Sequence, residues 1–345
     1  VDATLRTVAE VLLRESELTE MAHEVLLAIG CAPPSAAIIA EHLVEADLRG
    51  VSSHGTMRLT QYAKQAQTGY LNPAGTPTAT QTARGSTVVD GGGGYGHPAM
   101  MMGVREAIER ARGSNSSVVA VRNCGHTGRL GHYAEVAAGS DIATIIAGGG
   151  RRDLWRQVAP HGGIDPKLAT NPWAFGFPGT DAGPIVVDFA TAAAAGGRVM
   201  AAKKRGERLG SPDLLTADGE PTDNPDAYLT DGGSIRPFAG PKGFGMGLIA
   251  ELFASAMLGD DTPESNWIIV AIDVSAFQNS ESRLHLVQAL IDDVTSSRPA
   301  PGFDRVEIPG QRSHARMLER RRAGIPMHEG VWRELQELHT RLTAE

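Results

Sequence analysis

Apolar residues recur at helical spacing near both ends of the chain and at strand-like spacing in the middle. Prolines and capping residues before these runs, and glycines after them, mark the helix ends. The predicted helices cover residues 2–29 (two helices, broken at 16–18), 34–48, 53–68, 97–111, a run ending near 139, 242–258 and a charged segment from about 303. The predicted strands cover residues 86–90, 116–123, 141–148, 184–191 and 267–277. The pattern indicates a mixed α/β fold with helical ends.

Composition narrows what the chain is expected to bind. The 345 residues are 41% hydrophobic and 21% charged, and the net charge of -8 offers no basic surface for nucleic acid or an anionic membrane. The two cysteines, Cys31 and Cys124, favour a reducing compartment, and no apolar run reaches the ~18 residues of a membrane span. We therefore expect a cytoplasmic protein in which residues 1–85 form a helical region with 303–345, around an α/β region at 86–302.

A glycine-rich segment, STVVDGGGGYGHP, contains Gly91, Gly93 and Gly96 at the spacing of the G-x-G-x-x-G dinucleotide fingerprint. A strand before it, and a helix and a strand after it, suit a Rossmann βαβ unit. Against this, the second strand ends at Arg122 instead of the acidic residue that binds ribose, and the later strands are irregularly spaced. An ordinary glycine turn is the favoured interpretation.

The stretch SHGTMR is the strongest local candidate for chemistry. At a predicted helix N-terminus, His54 meets the helix dipole and free N–H groups, and Arg58 follows one turn later on the same face. Arginine binds a carboxylate through two hydrogen bonds, and histidine transfers protons. The pair suits a substrate with a carboxylate beside a carbonyl or hydroxyl. The alternative is a capped helix with an ordinary surface histidine and arginine.

Three further residues lie where sites often form. His126 occupies a glycine turn, GHTG, after a strand. Asp188 ends an apolar strand, where a carboxylate either orients a histidine or caps the next turn, and Lys242 precedes an apolar helix, where a cofactor phosphate would offset its charge. The loop histidines lack the i, i+4 spacing of a metal pair, so we expect no metal. A metal-dependent lyase or hydrolase using His54, His126 and His161 is the alternative among enzymes.

A series of stretches, in order along nearly the whole chain, matches one family. The stretches are ADLRGVSSHGTMRL, VRNCGHTGRLGHYAE, ATNPWAFGFP, VVDFAT, RGERL with ADGEPTDNP, PKGFGMGLIAELFASAML, and EIPGQR with GIPM. In these the chain resembles the type-2 malate/L-lactate dehydrogenase family. The resemblance implies a mixed α/β, non-Rossmann NAD(P)-binding fold of the sulfolactate dehydrogenase-like type, with helical N- and C-terminal regions. It also implies NAD or NADP as cofactor, a small carboxylate substrate and a homodimer.

The same resemblance assigns roles to individual residues. It implies His54 as the catalytic proton donor, with Ser53 and Asp188 as its relay and His126 as a further acid or base. It implies Arg58 and Thr170 as substrate contacts. The implied cofactor contacts are Asp188, Phe189, Ala190, Thr191, Lys242, Gly310, Gln311 and Arg312.

The implied reaction is hydride transfer between NAD(P)H and a small 2-oxo acid or cyclic imino acid, or its reverse with a 2-hydroxy acid. The chain departs from the family pattern at Ala169, Ala192 and Gln311, which replace a glycine, a serine and a glutamate. The last two changes remove a hydroxyl and a charge beside the expected cofactor. A family member that binds cofactor or metabolite without turnover is therefore the alternative outside enzymes.

Overall fold

The computed structural model describes residues 10–151 and 153–344. Helices α1 to α11 are Glu15–Ala28, Pro33–Leu48, Leu59–Gln67, Gly96–Ser114, Leu130–Ala138, Gly196–Arg205, Pro225–Leu229, Pro241–Glu251, Ser280–Thr295, Gln311–Ala323 and Glu329–Thr343. Strands β1 to β12 are Glu10–Leu13, Thr78–Gln81, Thr87–Asp90, Ser116–Cys124, Ile142–Gly150, Trp173–Thr180, Gly183–Phe189, Leu214–Leu215, Pro221–Thr222, Ser234–Ile235, Ser265–Asp273 and Ile325–His328. Short 3-10 helices cover Ser52–His54, Thr56–Arg58 and Val274–Ala276, and a π-helical segment covers Leu252–Ala256.

A seven-stranded sheet in the order β2-β3-β4-β11-β5-β6-β7 forms the centre. Among its neighbouring pairs in the described chain, β3 and β4 alone run parallel. Helices α4 and α5 bury Val104 and Tyr133 against Ile146 and Ile269 of the sheet, and α8 lies against Ala147 and Trp173 of a second cluster. A Rossmann domain needs successive parallel βαβ units, so the expected mixed α/β, non-Rossmann class is confirmed.

The helices α1, α2 and α3 share a separate core with the last helices, α10 and α11. Leu18 and Leu26 are buried there with Ile325 and Leu335. The domain boundary predicted from the sequence stays a proposal, and β2, which precedes residue 86, pairs with β3 in the large sheet. No helix in the two described ranges is long and apolar enough to cross a membrane.

The structure differs from the predicted helices in the first and last segments. Part of the first predicted helix, residues 2–9, lies outside the described residues, and Glu10–Leu13 forms a strand instead. That strand, β1, pairs antiparallel with β12, which interrupts the helix predicted from residue 303. Leu13 lies opposite Ile325, and both side chains are buried. Long-range pairing therefore overrides the local helical period.

The pattern of apolar residues also failed to predict β6, α6 and α9. Gly176 and Pro178 interrupt the apolar alternation of β6, and both residue types weaken a strand signal. The structure explains the glycine, because a Cβ on Gly176 would lie 2.6 Å from the backbone oxygen of Ala134 in α5. A residue without a side chain lets the helix cross the strand this closely.

Candidate active site

The helix predicted around His54 begins later than expected. Ser52–His54 and Thr56–Arg58 form successive 3-10 turns, and regular helix begins only at Leu59. Gly55 separates the two turns, with an extended backbone (φ -92°, ψ -162°). The prediction that His54 occupies the first turn of an α-helix is therefore wrong, and the helix dipole does not set its protonation.

A buried carboxylate produces this interruption. Asp47, near the end of α2, accepts hydrogen bonds from the Thr56 backbone N–H at 2.8 Å and from its hydroxyl at 2.6 Å. A Cβ at residue 55 would overlap the Asp47 carboxylate, so this position requires glycine. Burial raises the pKa of Asp47, and the Thr56 hydrogen bonds and Arg320 act against that rise. Asp47 thereby attaches the turn that contains His54 to helix α2.

The Arg58 guanidinium is held beside His54 by two hydrogen bonds. Its Nε donates to the Ser53 carbonyl and its Nη1 donates to Gln61 Oε1, both at 2.6 Å. Within the described chain its Nη2 makes no hydrogen bond, which leaves that nitrogen for a ligand. The Ser53 hydroxyl lies 3.1 Å from Nδ1 of His54, so the structure brings these three predicted residues together.

A second histidine stacks on the first. The rings of His54 and His126 lie 5.4 Å apart at an angle of 25°, and the Tyr62 hydroxyl is 2.7 Å from Nδ1 of His126. Burial, helped by the charges of Arg58 and Arg129, lowers the pKa of His54 to about 4. Burial also lowers the pKa of His126 well below its usual value, and the charges of His54 and Arg58 add to the effect. Both rings are therefore neutral at pH 7.

The glycine-rich segment supports the His126 turn. The N–H groups of residues 91–94 and of Gly96 all donate to protein oxygens, and that of Gly96 donates to the His126 carbonyl at 3.0 Å. A Cβ on Gly96 would overlap the Gly125 carbonyl. The G-x-G-x-x-G spacing therefore serves close packing, and its N–H groups are not available to a pyrophosphate. The interpretation as an ordinary turn is confirmed.

Asp188 lies at helix α5. Its Oδ2 accepts a hydrogen bond of 2.7 Å from the backbone N–H of Gly131, in the first turn of α5. Among the residues that the structure describes, Asp188 makes no hydrogen bond with His54. The protein packed around Asp188 disfavours the charged form and raises its pKa, although the side chain stays open to solvent. Asp188 therefore caps α5, which precedes it in the sequence, and not the turn that follows it as the sequence analysis expected. The relay with His54 and Ser53 stays a prediction.

Metal-binding groups are scarce in the described residues. Over 10–151 and 153–344, one group places three ligand atoms within 4.8 Å of each other: Glu45, His132 and Glu135. Arg49 and Arg129 already bind both carboxylates, with Arg129 Nη2 2.7 Å from Glu135 and 3.0 Å from Glu45. These ion pairs cross-link α2 to α5. The group contains none of the three histidines of the alternative metal centre.

Two of the segments expected to bind the cofactor, 188–191 and the turn at Gly310, lie at the end and near the start of strand β7. Asp188 and Phe189 end the strand, and the N–H and hydroxyl of Thr191 both donate to the Thr170 carbonyl at 2.9 Å. Gly310, in the turn before α10, packs against the backbone near the start of the same strand. Ala190 is half-buried against the core of the small three-stranded sheet.

Three polar side chains at expected cofactor positions differ in what they can still bind. Lys242 is exposed in the first turn of α8, and within the described chain it makes no hydrogen bond or ion pair. Arg312 is already paired with Glu307, at 2.7 Å, and Gln311 accepts a hydrogen bond of 2.9 Å from the Ile308 N–H. Lys242 is therefore the one of these three side chains that stays open to an anion. The turn around it adds little more, because Pro241 has no N–H and the Gly243 N–H already donates to the Phe238 carbonyl.

Two site residues were missed from the sequence. Tyr62 follows Arg58 by four residues, a helical spacing that would have placed both on one face. Glu264 carries no sequence signal, because its contacts come from distant segments: its carboxylate accepts from Gln65 Nε2 at 2.8 Å and from the His126 backbone N–H. Burial raises the pKa of Glu264 to about 7, although both hydrogen bonds and Arg58 act against that rise.

Replacing Glu264 by glutamine should stabilise the protein at pH 8. With a folded pKa of about 7 and an ordinary value of 4.5, the buried carboxylate destabilises the native state fully above pH 7 and not at all below pH 4.5. The free energy of unfolding of Glu264→Gln should exceed that of the wild type by about 1–3 kcal/mol more at pH 8 than at pH 4.5. Urea denaturation at both pH values measures this, with the exposed Glu334→Gln as control. A pH-independent difference would contradict the burial argument.

Known proteins resemble this chain in sequence and in fold. The L-sulfolactate dehydrogenase of Methanocaldococcus jannaschii is 30% identical over 327 residues, which cover 91% of this chain and 92% of that protein. The Delta(1)-pyrroline-2-carboxylate reductase of Ancylobacter novellus is 29% identical, over 94% of this chain and 97% of that protein. The crystal structure of Entamoeba histolytica malate dehydrogenase superposes with a TM-score of 0.90 at 24% identity, over 97% of this chain and 98% of the other. A family model described as malate/L-lactate dehydrogenase matches residues 13–336, and the chain therefore belongs to that family of hydroxy-acid oxidoreductases.

Proposed function

We propose that the protein transfers a hydride between NAD(P)H and a small 2-oxo acid or cyclic imino acid, or in reverse from a 2-hydroxy acid. One observation carries the proposal: the Nη2 of Arg58 is left for a ligand beside the stacked pair of His54 and His126. A carboxylate binder next to a proton carrier is what reduction at a carbon beside a carboxylate requires. The names of the relatives, which include sulfolactate and pyrroline-carboxylate, agree with this substrate class.

Arg58 and His54 have different roles towards the substrate. Arg58 binds the carboxylate, and His54 exchanges a proton with the substrate oxygen or nitrogen, a step that contributes ~10²–10⁴-fold to the rate. The neutral His54 of the free protein is the state that accepts a proton from a hydroxyl. In reduction, the substrate carboxylate offsets the Arg58 charge that lowers the pKa of His54, so binding favours the protonated ring. Bound nicotinamide supplies the hydride chemistry.

NAD or NADP is the proposed cofactor. The support comes from the backbone at Asp188–Thr191, the turn at Gly310, and the unpaired Lys242 at the start of α8. The ammonium and the backbone N–H of Lys242 suit one phosphate group. Ala192 offers no hydroxyl and Gln311 no charge to this surface, so neither selects between the two cofactors.

Turnover of a substrate panel tests the function. Loss of reduced-nicotinamide absorbance is followed with NADH and with NADPH, each against 2-oxo acids and piperideine-2-carboxylate. We expect turnover with at least one compound, and His54→Ala should abolish that turnover while reduced cofactor still binds, as measured by fluorescence. Wild-type turnover in His54→Ala would remove that residue from the mechanism. Cofactor binding without any turnover would favour the non-catalytic alternative, and no cofactor binding would reject the proposal.

Replacing Arg58 by lysine should raise KM for the active substrate by about tenfold or more, because one ammonium cannot donate to Ser53 and Gln61 and also keep a donor at the Nη2 position for the carboxylate. The effect on kcat should be smaller, since His54 keeps its place. Steady-state kinetics on the substrate identified above measures both constants, and the exposed Arg333→Lys is the control. An unchanged KM would show that Arg58 does not bind the substrate.

We further propose a homodimer. Four large apolar side chains on α8, on the π-helical segment after it and at the residue that follows that segment are exposed by 41–56% of their surface: Leu248, Ile249, Leu252 and Met257. Apolar surface of this kind on one element is typical of an interface between subunits. The family resemblance points the same way.

Sedimentation should therefore give about twice the chain mass of 36.4 kDa. Ile249→Asp combined with Leu252→Asp should shift the protein to the monomer, because an apolar interface does not bury unpaired carboxylates. Leu318→Asp, at an equally exposed leucine on α10, is the control. A monomeric wild type would overturn the homodimer, and dimeric double variants would place the interface on another surface.

A cytoplasmic location is proposed on the state of the cysteines. Cys31 and Cys124 are both free and buried. Burial raises the pKa of Cys31 to about 12, which keeps its thiol protonated and unreactive. Two inert thiols without a disulfide suit a reducing compartment.

A further inference from the structure

Tyr62 is fully buried in the core of the helical region, directly behind His126. Over residues 10–151 and 153–344 its hydroxyl has one hydrogen-bond partner, Nδ1 of His126, at 2.7 Å. The rings of Tyr95 and His97 also lie against Tyr62, with centroids 4.8 and 5.8 Å away, and neither bonds its hydroxyl. Because the side chain does not reach solvent, Tyr62 acts on a substrate only through His126.

The direction of this hydrogen bond follows from burial. A buried hydroxyl proton needs an acceptor, and Nδ1 is the acceptor within reach. The nitrogen accepts only when it carries no proton, because a neutral imidazole has one N–H and one lone-pair nitrogen. Burial raises the pKa of Tyr62 well above its usual value, so the hydroxyl keeps its proton and donates.

We propose that Tyr62 is a positioning residue that holds His126 in the tautomer with its proton on Nε2. His97 is the other histidine that lies against His126, and the centroids of the two rings are 6.0 Å apart. Within the described chain, His97 makes no hydrogen bond to His126. Among the residues that the structure describes, the Tyr62 hydroxyl is therefore the one side-chain contact that selects between the two tautomers. The Glu264 carboxylate adds to the same arrangement by holding the His126 backbone N–H.

On the function proposed above, this tautomer gives the stacked histidines different tasks. His126 is half-buried, and Nε2 is the nitrogen left to meet a ligand, as a neutral N–H donor to the substrate oxygen. His54 is then the ring that exchanges the proton. Two protonated rings 5.4 Å apart would repel each other, so the stacking itself favours one donor and one proton carrier.

Nitrogen-15 NMR of the free protein, labelled at histidine, tests the tautomer without any substrate. Protonated and unprotonated ring nitrogens resonate far apart, and His126→Gln identifies the signals. We expect a protonated Nε2 and an unprotonated Nδ1 in the wild type. Tyr62→Phe keeps the ring in the core and removes the hydroxyl, so the His126 signals should move towards an exchanging mixture of both tautomers. Tyr95→Phe is the matched control, because its buried hydroxyl donates to the Tyr62 carbonyl at 2.7 Å.

Kinetics with the substrate identified above adds a second readout. Tyr62→Phe should lower kcat about tenfold with KM nearly unchanged. His126→Gln, whose amide N–H lies near the Nε2 position, should retain more activity than His126→Asn, whose amide lies near Nδ1. A protonated Nδ1 in the wild type, or His126 signals that Tyr62→Phe leaves unchanged, overturns the proposal. Absence of turnover with every compound would reject the proposed function and leave the tautomer result standing.

Discussion

The hydrogen bonds from Thr56 to the buried carboxylate of Asp47 hold the active-site turn in its shape. They stop the chain from entering a regular helix at His54 and divide it into two short turns around Gly55. The position of Arg58 uses this geometry, because the Ser53 carbonyl accepts from Arg58 Nε where the chain turns. A carboxylate taken out of water is costly, and here the two donors on Thr56 compensate it.

The other half of the site depends on residues that have no side chain. Gly96 lets α4 approach the turn that carries His126, and side chains pack against the same turn at Gly125 and Gly128. At Gly128 a Cβ would overlap the ring of His42, whose Nε2 accepts a hydrogen bond of 2.9 Å from the next backbone N–H. Glycine at these positions brings histidines from two cores together in one cluster. At these three positions glycine therefore serves the close approach of protein to protein.

The features predicted best from the sequence are those formed by residues that are neighbours along the chain. Ordered motifs identified the family, and the SHGTMR stretch placed His54 beside Arg58, because both residues lie within six consecutive positions. Helix α4 was also predicted, since its apolar face packs on a core and keeps a helical period. The failures share a physical cause: β1 has its partner at the far end of the described chain, and Glu264 meets Gln65 across 199 residues. Local periodicity carries no information about such contacts.

The shared core of the first and last helices has a consequence for the order of folding during synthesis. The ribosome releases α1, α2 and α3 well before β12 and α11, yet Leu18 and Leu26 are covered by side chains from those two later elements. The α/β region between them can complete its sheet earlier, because all its strands precede residue 274. The helices around His54 therefore keep apolar surface uncovered until β12 and α11 have emerged. The active-site turn is made before the α/β region and is secured after it.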